Sequence, residues 1–110
     1  KTIMMPHITE IKDDSFKEFT LSDKISLIDF HAIWCNPCKA LSPIIDQLSI
    51  DYLGKVSVGK LNVDECPKTS KELEIRSIPT IILYKNGEVL ERLVGSVNKK
   101  KISEMIDKHL

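Results

Sequence analysis

The 110-residue sequence predicts an α/β chain built on a mixed β-sheet with helices on both faces. Three observations predict it. Short strand-like runs alternate with segments whose apolar residues recur at helical spacing. One run, Ile25 to Ala32, is apolar almost throughout, as a central strand covered on both faces must be. Near the C-terminus, Asn86-Gly87 separates two β-rich runs, the strongest short-range signal of a hairpin.

Taken in order, Ile8 to Ile11 reads as a short strand, and a short helix through Phe19 follows, with Asp13 or Asp14 as its N-cap. After the central strand, Leu41, Ile44, Ile45, Leu48 and Tyr52 mark one face of a helix from Cys35 to about Tyr52. Pro43 is expected to kink that helix and Gly54 to end it. Val56 to Val63 is the next strand. Pro67, at the favoured first helical position, opens a helix to about Leu73. Thr80 to Tyr84 and Val89 to Val94 form the hairpin. An amphipathic helix from Val97 to Leu110, capped by Ser96 or Asn98, closes the chain. The early strands, joined by helices, imply parallel pairing, and the late hairpin adds an antiparallel edge.

No repeat, low-complexity tract or linker interrupts residues 1–110, which read as one domain. The first seven residues are expected to be a flexible, leader-derived or tag-derived N-terminus. Their apolar run is too short for a secretory h-region. Lys plus Arg and Asp plus Glu number 16 each, so no net field draws in nucleic acid or an anionic membrane. No stretch approaches the ~20 apolar residues a membrane span needs. Three cysteines are a poor disulfide framework. An isolated close pair suits a reducing compartment, where a dithiol does chemistry.

That pair is Cys35 and Cys38, in Trp34-Cys35-Asn36-Pro37-Cys38-Lys39. If Cys35 sits at the tip of the second helix, free N–H groups and the positive end of the macrodipole favour its thiolate, the attacking species. Each pKa unit of such activation is worth about 1.4 kcal/mol. Lys39 adds a weak positive charge. Cys38, one turn on and closer to the core, is placed to displace a target from a mixed disulfide. Three plainer readings compete. A zinc half-site needs two further ligands, and Cys66, His7, His31 and His109 supply no second close pair. A structural disulfide across two residues closes too small a loop to stabilise much. Two unrelated core cysteines leave Trp34 and Pro37 unexplained.

Five stretches resemble the thioredoxin family in order and spacing: Asp29 to Lys39, Lys60 to Asp64, Ile75 to Thr80, Lys85 to Glu88, and Val94-Gly95. The resemblance covers Ile8 to Leu110. It implies the thioredoxin fold and a protein-disulfide reductase with Cys35 as nucleophile and Cys38 as resolving thiol. It implies re-reduction by a thioredoxin reductase, a flavin enzyme drawing on NADPH. Nothing in the chain resembles a nucleotide fingerprint, so no bound cofactor is expected, and the lack of a second close ligand pair argues against a metal. A cytoplasmic monomer acting on disulfide-containing clients is expected.

The resemblance also assigns roles. Asp29, a carboxylate in an apolar strand, should have a raised pKa. By resemblance it handles the proton of Cys38 through water; the plainer reading is a hydrogen-bonded core Asp. Lys60 is expected beside Asp29, against the alternative of an edge Lys reaching solvent. The Ile78–Pro79 bond is expected to be cis and to pack on the dithiol, leaving the Ile78 backbone to pair with an extended client. Trp34 is expected to shield the sulfurs and contact clients. Gly95 is expected to let a client backbone approach, unless it is a simple turn glycine.

Three positions depart from the family pattern. Asn36 replaces the usual Gly between the cysteines, which predicts a reduction potential within roughly 30 mV of the about −270 mV of thioredoxin itself. His31 replaces an aromatic residue; it is expected either to pack as a partly exposed side chain or to couple to dithiol titration. Cys66 is expected to be an inert or slowly oxidised surface thiol, against a regulatory or dimer-forming one.

Overall fold

A computed structural model describes residues 4–110. Most of the run in which a leader or tag is expected, residues 1–7, is described, but residues 1–3 lie outside the described residues. The elements are β1 (Ile8–Ile11), α1 (Phe16–Thr20), β2 (Ile25–His31), α2 (Asn36–Asp51), β3 (Val56–Asn62), α3 (Pro67–Glu72), β4 (Thr80–Lys85), β5 (Glu88–Val94) and α4 (Lys99–His109). Their order matches the expected alternation.

The five strands form one sheet in the order β1-β3-β2-β4-β5. β1, β3 and β2 run parallel, while β4 is antiparallel to β2 and β5 to β4. The helix before β4 therefore does not return the chain for a parallel crossover. At ~1.5 Å per residue, α3 with its 6 residues runs back about 9 Å, well short of the roughly 23 Å of β3. The β4–β5 turn is Asn86-Gly87, with φ of 55° and 80°. Both are left-handed, as a type I′ hairpin demands.

Strand alternation divides the core. Ile25 and Leu27 of β2, Val56 and Val58 of β3, and Ile81 and Leu83 of β4 face α2 and α4. Ile28, Phe30, Leu61, Ile82 and Tyr84 face the other way, where Phe16, Phe19 and Leu73 pack. Leu41, Ile45 and Leu48 of α2 and Ile102, Met105 and Ile106 of α4 complete the first cluster, as their helical spacing requires. β2 is buried from Ile25 to Phe30, so it is the central strand. Gly59 of β3 has no room for a side chain: a Cβ there would collide with Ile11 and lie 3.0 Å from Phe19 Cζ.

Some local expectations hold and others need correction. The N-cap of α1 is Ser15, and its side chain makes no cap hydrogen bond. Asp13 instead reaches across to α3, accepting from Thr69 N at 2.9 Å and Lys68 N at 3.3 Å. These are the free amides of the first turn of α3, whose own N-cap, Cys66, provides no side-chain acceptor. α4 is capped by Asn98, which accepts from Lys101 N at 2.8 Å. α2 runs to Asp51 with Pro43 inside it, where proline removes one i→i−4 bond. Gly54, with φ of 85°, turns the chain out of α2. Cys66 is not at the surface: it is 0 % exposed, its thiol 3.5 Å from the carbonyl of Ile11. Burial pushes that thiol above its ordinary pKa, with Asp13 adding to the effect.

Candidate active site

The buried strand β2 delivers the chain to the N-terminus of α2, and the cysteines sit at this junction. Cys35 is the N-cap of α2, in extended conformation. Its sulfur accepts the backbone N–H of Cys38 at 3.2 Å, and its carbonyl accepts from Lys39 N at 3.1 Å. Pro37, inside the first turn, has no N–H to leave unpaired and a φ preset for the helix. Cys35 and Cys38 are joined as a disulfide with their Cα atoms 5.2 Å apart. Each is 4 % exposed, so burial does not distinguish the two; position on the helix does. Ala32, Val63 and Ile78 pack against the pair.

Trp34, expected as a shield, is 66 % exposed beside Cys35. Its indole N–H donates to Asp64 Oδ2 at 2.8 Å, and Asp64 N in turn donates to Asn62 Oδ1 at 2.9 Å. This tether was not foreseen. The only trace of it in sequence is that Asp64 ends one of the five family-like stretches.

The Ile78–Pro79 peptide is cis. Ile78 lies against the cysteines, and the carbonyl of Pro79 accepts the N–H of Gly95 at 2.8 Å. Gly95 has a φ of 92°, a conformation that itself calls for glycine, and open space where a side chain would stand. Trp34, Ile78, Pro79 and Gly95 thus belong to loops that meet near the disulfide.

Asp29 of β2 is 0 % exposed, with neither carboxylate oxygen hydrogen-bonded to protein. Burial pushes its pKa up to about 6, and the nearby Lys60 cation opposes the shift. Lys60 is the register partner of Asp29, as expected, yet its ammonium donates to Ser42 Oγ of α2 at 2.9 Å. Ser42 was not foreseen either, because nothing in its local pattern marks it. His31 ends β2 half-buried, two residues beyond Asp29 and on the same face.

Among the described residues, no group of three or more His, Cys, Asp or Glu is placed to hold a metal ion. No described helix is long and apolar enough to cross a membrane.

The thioredoxin family model matches residues 7–108. Thioredoxin of Buchnera aphidicola subsp. Acyrthosiphon pisum is 47% identical over 107 residues, spanning 96% of this chain and 99% of that one. Thioredoxin 2 of Chlorobaculum tepidum is 45% identical over 102 residues, spanning 92% and 94%. The chloroplastic M-type thioredoxin of Spinacia oleracea is 43% identical over 104 residues, which are 94% of this chain and 58% of that protein. A disulfide at a helix tip, a mixed five-stranded sheet and these likenesses agree: the chain belongs to the thioredoxin family and is a disulfide oxidoreductase.

Proposed function

We propose that the protein reduces client disulfides, with Cys35 attacking and Cys38 resolving, and that a thioredoxin reductase using NADPH restores the dithiol. The observation that carries this is the Cys35 sulfur at the tip of α2, accepting an amide N–H and already bonded to Cys38. That amide and the helix dipole stabilise the anionic sulfur when the disulfide is open. The Cys35 thiolate attacks a client disulfide, and one client thiolate leaves and takes up a proton. Cys38 then gives its proton to Asp29 and attacks the Cys35 sulfur. The second client thiolate leaves, and two electrons have passed to the client.

Asp29 suits the acceptor role because its carboxylate is unpartnered and its pKa lies near neutrality. Lys60 holds a positive charge beside it and keeps it from rising further. Trp34, Ile78, Pro79 and Gly95 form the client platform. No hydrogen bond among the described residues uses the Ile78 backbone, which leaves it free to pair with an extended client segment. The protein works as a single-domain cytoplasmic monomer with no cofactor of its own.

Insulin reduction by dithiothreitol, followed as turbidity, tests the reading. Cys35→Ser should fall to the uncatalysed rate. Cys38→Ser should accumulate mixed disulfides that dithiothreitol releases. Full activity in the double Cys→Ser variant would refute the exchange mechanism. A potential near the about −120 mV of a strong periplasmic oxidant would refute its reducing direction.

A further inference from the structure

A cleft of about 290 Å³ opens beside the disulfide, and His31, Cys38, Lys39, Ser42 and Lys60 line it. Cys38 itself is 4 % exposed, so this cleft is its way to water. Lys60 connects the cleft to Asp29, its register partner on the same face of the sheet. His31 lies two residues beyond Asp29, about 7 Å along the strand, a gap that a bridging water spans.

The other walls cannot relay a proton well. Lys39 and Lys60 are hydrogen-bond donors only, and the Ser42 hydroxyl already accepts from Lys60. An imidazole both accepts and donates near neutral pH. The groups around His31 keep it neutral there. Burial and then the Lys60 cation lower its pKa, while Glu10 of β1 and Glu65, in the β3–α3 connection, act against them. Lys39 of α2 is the other cation lining the cleft. A neutral ring is ready to accept.

We propose that His31 carries the proton between solvent and the buried Asp29–Cys38 pair when the mixed disulfide is resolved. This rests on the exchange mechanism above. As the Cys38 sulfur bonds to the Cys35 sulfur and the client thiolate departs, the Cys38 proton passes to Asp29. From Asp29 it passes through water to His31 and then to bulk solvent, and the departing thiolate is protonated from solvent. The electron count is that of the exchange alone. His31 acts through Asp29, so it is a positioning residue.

The test is single-turnover reduction of a disulfide peptide, following release of its second thiol between about pH 5 and 8.5. The wild-type rate should rise through two titrations below about pH 6.5, those of Asp29 and His31, and His31→Gln and His31→Phe should keep only the one that Asp29→Asn removes. At pH 7 both variants should be slower by on the order of tenfold. Added imidazole should accelerate His31→Ala and not the wild type, a rescue that a packing role does not give. A wild-type pH profile in His31→Gln, with no imidazole effect in His31→Ala, overturns the proposal. If Asp29→Asn alters the profile in that case, the exchange mechanism stands and the relay alone falls. If Asp29→Asn also leaves it unchanged, the role given to Asp29 falls with it.

Discussion

Asp29 shows how one side chain sets a pH dependence for the whole fold. Its carboxyl ionises at about 6 in the folded chain and at the ordinary 3.8 when unfolded. Between those values the folded state holds a proton that the unfolded state has lost, so stability falls as pH rises. The loss is complete above about 6 and amounts to about 3 kcal/mol. Urea unfolding between about pH 4 and 7.5 should therefore show Asp29→Asn gaining on the wild type by roughly that amount as pH rises. A difference that stays constant with pH would contradict the buried, unpartnered carboxylate. The sequence exposed this residue because a charge inside an apolar strand violates its surroundings. It did not expose Ser42 or Asp64, whose polar side chains look ordinary until the fold brings Lys60 and Trp34 to them.

At the scale of elements, α3 is held by a residue from another part of the chain. Asp13 caps its first turn from the β1–α1 connection. The Thr69 side chain first, then the amides of Thr69 and Lys68, hold the Asp13 carboxyl below the usual Asp range. Stability from this contact is present above the unfolded pKa and is lost as pH falls through the lower, folded one. Asp13→Ala should lower the thermal midpoint by a few degrees at pH 7, and Asp13→Asn, which keeps an acceptor, by less. Equal losses would mean that the cap is not what matters. The sequence suggested Asp13 as a cap but for the wrong helix, because capping signals are read along the chain and this one acts through space. The Asn86-Gly87 turn was legible because its chemistry is local: both residues must adopt positive φ.

For the molecule as a whole, the alternation of strands and helices was legible because burial imposes periods of two and 3.6 on the residues themselves. The direction of β4 was not, since it depends on how far a short helix carries the chain. Cys66 was misread for a related reason. Flanked by Asp64, Glu65 and Pro67, it looks like a loop residue, yet α3 folds it into the cluster with Ile11, Phe30 and Tyr84. That burial makes it a reporter of global opening. In the Cys35→Ser/Cys38→Ser background it is the one remaining thiol. Its reaction with an aromatic disulfide reagent in buffer should be slower than that of an unstructured peptide thiol by at least about 10³-fold. Urea should speed it with the same dependence as global unfolding, because the thiol opens only when the sheet and α3 come apart together. Rapid labelling, insensitive to urea below the unfolding midpoint, would show that α3 opens on its own and that the Asp13 cap does not fasten it to the core.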